Sequence, residues 1–292
     1  MNTICAETAA RVTDIALGEK VTQLAVGFFE GCTGVRRVEL NSSRLATTKT
    51  LKELFPDAYA NLTDVVVGAK VKLADGFFDG CVGLRRVELG SRRVVESTTL
   101  RELIPDAVAS LTEVVLGSGV TAIPDGFFEG CDALTAVTIP ETLEDFGAND
   151  IRFVGARVGK RGLWIVNGWV LAYVGAAPAE VAIPDGVTGI ASYAFEGQSA
   201  LVSVSLPSSL RSIGVRAFAL CTSLERLDLP DGVARIDDAA FQDCTFLQEL
   251  SLPSGLKRLG DSAFANCTSL SGLVCAEGLV EIGAAAFSNC WR

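Results

Sequence analysis

Phe195, Phe218, Phe241, Phe264 and Phe287 stand 23 residues apart, and no other feature of the 292-residue chain restricts its fold as tightly. With each Phe as position one of a block, position seven holds Leu201, Leu224, Leu247 and Leu270, and position ten holds Val204, Leu227, Leu250 and Leu273. Position sixteen holds Leu210, Val233, Leu256 and Leu279, and position nineteen holds Ile213, Ile236, Leu259 and Ile282. Position twelve is Leu206, Leu229, Leu252 and then Cys275, with Pro207, Pro230 and Pro253 behind the first three. Apolar columns at such a period mark a stacked repeat, because one turn exposes an apolar face that only its neighbour covers.

The N-terminal half carries the same pattern with alternating lengths. Phe29-Glu30-Gly31-Cys32, Phe78-Asp79-Gly80-Cys81 and Phe128-Glu129-Gly130-Cys131 recur at intervals of 49 and 50 residues, each interval holding a long and a short turn. The long turns insert Asn41–Thr50 and Gly90–Thr99; the short turn from Tyr59 to Phe77 keeps Leu62, Val65, Val67 and Val71 in the core columns. Positions eight to twelve, such as Glu225-Arg226-Leu227-Asp228-Leu229, alternate polar and apolar, which predicts a strand with one buried face that ends at the following Pro. The rest of each turn is expected to be a tight bend and a helical or irregular segment on the opposite side.

Blocks such as Leu252-Pro253-Ser254-Gly255-Leu256-Lys257-Arg258-Leu259-Gly260-Asp261-Ser262-Ala263-Phe264-Ala265-Asn266-Cys267 resemble the BspA-like leucine-rich repeat family, closely over 180–292 and more loosely before 150. The expected fold is therefore an α/β leucine-rich repeat solenoid: a curved right-handed rod of about eleven turns with a parallel β-sheet on one face, interrupted by a β-hairpin. Residues 1–150 form a sub-array of alternating repeats, 151–180 the interrupting hairpin segment and 181–292 a sub-array of 23-residue repeats, in one continuous domain. The resemblance implies an interaction module, many relatives being cell-surface proteins implicated in adhesion.

Seven of the nine Cys (Cys32, Cys81, Cys131, Cys221, Cys244, Cys267 and Cys290) share position four, where Gln198 substitutes once. Without a C-x-x-C pair, the column reads as buried structural thiols. Stacked cysteines point in parallel, an approach unsuited to a disulfide. With no His in the chain, a Ser/His/Asp relay and His-ligated zinc are both excluded. Asp75, Asp125, Asp185 and Asp231 sit in Asp-Gly bends explained by turn chemistry, so no catalytic residue, cofactor site or metal site is assigned. The 25 Lys and Arg against 35 Asp and Glu give a net charge of −10, which disfavours nucleic acid as a partner.

Between 151 and 180 the period fails, and Leu163-Trp164-Ile165-Val166-Asn167-Gly168-Trp169-Val170-Leu171 carries the Asn-Gly signature of a type I′ hairpin. A two-residue turn sets Val166 opposite Trp169 and Trp164 opposite Leu171. Two readings stand. Either the hairpin packs on the solenoid flank and joins the two arrays, or Trp164, Trp169 and Tyr173 form an exposed anchor for a partner.

On the strand face, position nine reads Asp14, Arg37, Asp64, Arg86, Glu113 and position eleven Ala16, Glu39, Val66, Glu88, Val115. Alternating signs at one strand spacing predict a self-neutralising ladder; a recognition surface centred on Arg37 and Arg86 is the alternative. The inserts, with Arg44, Lys49, Arg92 and Arg93, are read either as solvated loops or as a basic ridge that docks an acidic partner.

The functional expectation is a non-catalytic protein–protein interaction module or scaffold subunit; the alternative is a cell-surface adhesin or ligand-binding ectodomain. A protein partner is expected, with a larger assembly covering the uncapped solenoid ends. No segment reads as a membrane span, and the absence of a signal peptide and of a disulfide framework leans towards an intracellular setting, or the cell surface if the chain is trimmed.

Overall fold

The computed structural model describes residues 10–24, 27–42, 49–157, 161–274 and 278–290. The chain is a parallel-sheet leucine-rich repeat solenoid with few helices, and it divides into two compact units, Met1–Asp145 and Phe146–Arg292.

In the first unit β1 (Asp14–Leu17), β2 (Arg37–Leu40), β3 (Asp64–Val67), β4 (Arg86–Leu89), β5 (Glu113–Leu116) and β6 (Ala136–Thr138) form a six-stranded parallel sheet in chain order. The register aligns Val38, Val65, Val87 and Val114 in one inward row and Leu40, Val67, Leu89 and Leu116 in the next, all of them buried. Each insert ends in a one-turn helix, α1 (Leu51–Leu54) or α3 (Leu100–Leu103), and α2 (Arg92–Val95) precedes α3. Reciprocal capping boxes fix both starts: Thr50 with Glu53, and Thr99 with Glu102. The inserts are stitched to the following coil, Leu51 N–H donating to the Phe77 carbonyl at 3.0 Å and Leu100 N–H to that of Phe127 at 3.1 Å.

The second unit opens with α4 (Arg152–Arg157) and the hairpin β7 (Gly162–Val166) and β8 (Trp169–Val174). The predicted strand of each 23-residue block is present as β9 (Glu180–Ala182), β11 (Ser203–Ser205), β13 (Arg226–Leu227), β15 (Glu249–Ser251) and β17 (Gly272–Val274), a five-stranded parallel sheet. A second sheet adds to the sequence reading. Positions eighteen and nineteen form β10 (Gly189–Ile190), β12 (Ser212–Ile213), β14 (Arg235–Ile236), β16 (Arg258–Leu259) and β18 (Glu281–Ile282), with β8 and β7 completing seven strands. Each of these five strands is only two residues long, too short to show alternation.

The bends make a further ladder: N–H groups of Phe195, Phe218, Phe241 and Phe264 donate to carbonyls of Ala217, Ala240, Ala263 and Ala286 at 2.7–2.8 Å. The Phe rings therefore stack face to face, with centroids 4.8, 5.2, 5.0 and 5.6 Å apart and planes within 9°. That spacing is close to the inter-strand distance, so the aromatic column, thiol column and sheets share one repeat.

Candidate interaction surface

The hairpin turns as expected, Asn167 at φ +44° and Gly168 at φ +80°. A bulge between Trp164 and Ile165 shifts the pairing, so Trp164 lies opposite Ala172 rather than Leu171. The exposed-anchor reading is corrected for the two indoles: Trp164 is 5% exposed and Trp169 3%. Trp169 lies 5.8 Å from the Phe146 ring and against Gly189, where an added Cβ would come within 2.6 Å of the indole. Trp164 covers Gly155 in the same manner. Tyr173 is half-buried, 5.7 Å from Phe195. The physical reason is that β8 pairs in parallel with β10, so the aromatics of the hairpin become part of the second unit's core.

Arg152, at the start of α4, is committed within the same unit. Its guanidinium donates to Asp150 Oδ2 and Glu196 Oε2, both at 2.8 Å, and Arg216 Nε donates to Glu196 Oε1 at 2.7 Å. One carboxylate thus ties the helix to two coils, an arrangement the sequence hides because its members lie 20 and 44 residues from Glu196.

On the first unit's sheet the ladder runs in the register read from sequence: Asp14, Arg37, Asp64, Arg86 and Glu113 are successive pairs. Arg37 Nε lies 3.2 Å from Asp64, Arg86 lies 2.9 Å from Asp64 and 3.4 Å from Glu113, and within their own strands Arg37 and Arg86 reach Glu39 and Glu88 at 3.5 and 2.8 Å. Burial alone would lower the Arg86 pKa, but the hydrogen bonds it donates to Glu88 and Asp64 override that and hold the guanidinium above its ordinary range. Arg37 and Arg86 are half-exposed, fixed in direction rather than free to sample.

In the second insert, Arg92 pairs with Glu96 at 2.7 Å, and Glu96 also accepts from Thr121 Oγ1 at 2.8 Å and Ala122 N–H at 3.1 Å on the neighbouring coil. Lys49 lies 3.8 Å from Glu53. Arg93 is exposed and, with Lys72, lines a pocket of about 380 Å³ between the insert and the bend of the short coil, a juxtaposition of residues 21 apart that no local pattern marks. Arg44, its counterpart 49 residues earlier, lies outside the described residues.

All seven column cysteines are buried free thiols. Cys221, Cys244, Cys267 and Cys290 each donate to the carbonyl of a Phe one coil back, at 3.0–3.3 Å. Gln198 fills the same slot with an amide, donating to Gly175 O at 2.9 Å and accepting from Ala177 N–H at 2.7 Å. Burial pushes the Cys81, Cys131 and Cys221 thiols up to about 12, with nearby carboxylates adding to it. Among the described residues no three carboxylates or thiols converge as a metal site would need, and no helix is long and apolar enough to cross a membrane.

The model of the BspA type leucine-rich repeat region matches residues 5–100, 106–152 and 172–292, in six copies. A comparison with curated proteins finds no match. Among solved structures, a leucine-rich repeat protein of T. pallidum is 24% identical over 78% of this chain and 76% of its own, with a TM-score of 0.34. One from Bacteroides ovatus is 22% identical over 96% and 77%, at 0.35, and the pneumococcal vaccine antigen PcpA 16% identical over 96% and 76%, at 0.40. These are likenesses only. The repeat model, matching most of the chain, shows that it belongs to the BspA-type leucine-rich repeat family.

Proposed function

We propose that the chain is a non-catalytic protein–protein interaction module or scaffold subunit that presents its repeat surface to a protein partner. The observation that supports this most is the fixed charge array on the first unit's sheet, where Asp64 is held between Arg37 at 3.2 Å and Arg86 at 2.9 Å. Side chains already ordered in the free protein lose little entropy on docking, and a regular row of partly exposed charges selects a partner of complementary pattern. An open sheet face suits a macromolecule better than a small substrate.

The test is affinity capture from the native cell by the tagged chain, with mass spectrometry of retained proteins, beside a variant carrying Ala136→Glu and Thr138→Arg. Both positions are exposed on the same sheet face, Ala136 in register with Glu113 at the end of the ladder, so the variant alters the face while the residues that hold Asp64 between Arg37 and Arg86 stay unchanged. A partner retained by the wild type and depleted at least tenfold by the variant is the expected result. A monodisperse chain that retains no protein would overturn the proposal.

A further inference from the structure

Among the described residues, four cations of the two inserts and the helices that follow them are answered by a neighbour. Lys49 lies 3.8 Å from Glu53, Arg92 2.7 Å from Glu96 and Arg101 3.9 Å from Glu129, while Lys52 sits over the Tyr59 ring at 5.6 Å. Lys72 and Arg93 differ: both are exposed, neither makes an ion pair among the described residues, and both line the pocket of about 380 Å³. Chain topology brings them together from the short coil's bend and from α2.

The pocket is preformed. Its insert wall is held by the bonds of Glu96 to Thr121 and Ala122 and by Ser97 Oγ donating to the Arg93 carbonyl at 2.6 Å. Phe77 and Val94, both buried, supply apolar lining. Of the two carboxylates in the lining, Glu102 is consumed by the capping box: Thr99 N–H donates to it at 2.9 Å, Thr98 Oγ1 at 3.1 Å and Thr99 Oγ1 at 3.2 Å. Asp75 stays exposed and makes no ion pair, so it remains an acceptor for N–H groups. Two unanswered cations, an apolar wall and one spare acceptor match the chemistry of a peptide residue that carries a carboxylate. In a chain of net charge −10 such a pair does not follow from a general basic excess.

We propose that this pocket docks an acidic side chain of the protein partner, its carboxylate lying between Lys72 and Arg93. The inference rests on reading the chain as an interaction module and names the chemistry of one contact.

The test is a titration of the 15N-labelled full chain with N-acetyl-glutamate N′-methylamide, followed by amide shifts. The expected result is saturable shifts at residues 72–76 and 93–98, weakened at least tenfold with the glutamine analogue and lost in Lys72→Glu/Arg93→Glu. Because both side chains are exposed, the double variant should melt as the wild type does; Arg93→Gln alone serves if it does not. Absent shifts, equal shifts with the glutamine analogue, or shifts that persist in the charge-reversed variant would overturn the pocket. A partner captured equally by wild type and Lys72→Glu/Arg93→Glu also overturns it, yet leaves the interaction-module reading intact. Retention of no partner removes that reading, and the titration still decides the pocket.

Discussion

Two columns of residues in the second unit adopt left-handed backbone without being glycine. Tyr193, Arg216, Ala239, Ser262 and Ala285 have φ between +53° and +64°, as do Leu220, Asp243, Asn266 and Asn289 between +58° and +62°. The first unit places Gly27, Gly76 and Gly126, and Gly31, Gly80 and Gly130, at the same two places of the repeat. Left-handed backbone costs a Cβ-bearing residue about 1 kcal/mol, so Ala239→Gly should raise stability by about 0.5–1 kcal/mol in urea denaturation. The reverse change, Gly80→Ala, should destabilise by more, since its Cβ would lie 2.6 Å from the Tyr59 ring. Polar members of the second column repay their conformation through a side-chain ladder: Asn289 donates to Asn266 at 3.0 Å and Asn266 to Asp243 at 2.7 Å. For Cys81, Cys131 and Cys221, a folded pKa raised from 9.0 to about 12 means a contribution to stability complete below the unfolded value and lost as pH rises. Chemical denaturation should show falling stability between about pH 9 and 12, and iodoacetamide should leave Cys81, Cys131 and Cys221 unmodified at pH 7; rapid labelling of these three in the native protein would contradict their burial.

At the scale of elements, the ladder on β1 to β5 is the sequence reading that the structure reproduces residue for residue. Position nine was legible because a strand's side-chain period is two and the repeat itself sets the register. Asp64→Ala should cost about 1–2 kcal/mol, as half-buried Arg37 and Arg86 lose their shared partner. A double-mutant cycle with Arg86→Ala should give a coupling of about 0.5–1.5 kcal/mol that shrinks with added salt. A coupling of zero would make the alternation of signs incidental. The hairpin was legible only in part. Its turn follows from Asn-Gly, but the bulge at Trp164 and the burial of both indoles depend on β10, on Gly189 and on Phe146, which a local pattern cannot weigh. Gly189→Ala should therefore cost about 1–3 kcal/mol by driving a methyl into the Trp169 ring, read as a lowered denaturation midpoint. Thr99→Ala, which removes a capping-box hydroxyl from α3, should cost about 1 kcal/mol.

At the scale of the whole molecule, the chain repeats one coil whose apolar columns are covered only by the coils beside it. Phe241→Ala removes a ring stacked at 5.2 Å on Phe218 and 5.0 Å on Phe264, and should cost about 3–5 kcal/mol. Hydrogen exchange should quicken most in the adjoining coils, because stability in a stacked repeat is carried by nearest-neighbour interfaces; uniform acceleration throughout the second unit would instead indicate a single cooperative block. What the sequence by itself determined is everything the two repeat patterns control: the core columns, the thiol column, the strand of each 23-residue block and, in the alternating repeats of the first unit, the order of charges along the sheet. A period is a local rule applied repeatedly, so one dimension of information suffices. Only the tertiary structure decided the second sheet of two-residue strands, the burial of Trp164 and Trp169, the Glu96 and Glu196 ties, and the meeting of Lys72 with Arg93. The strands of the second sheet follow the period but are too short to show alternation, and the other contacts bring together residues that no shared period links; the energies of all of them come from burial and pairing that exist only once the coils are stacked.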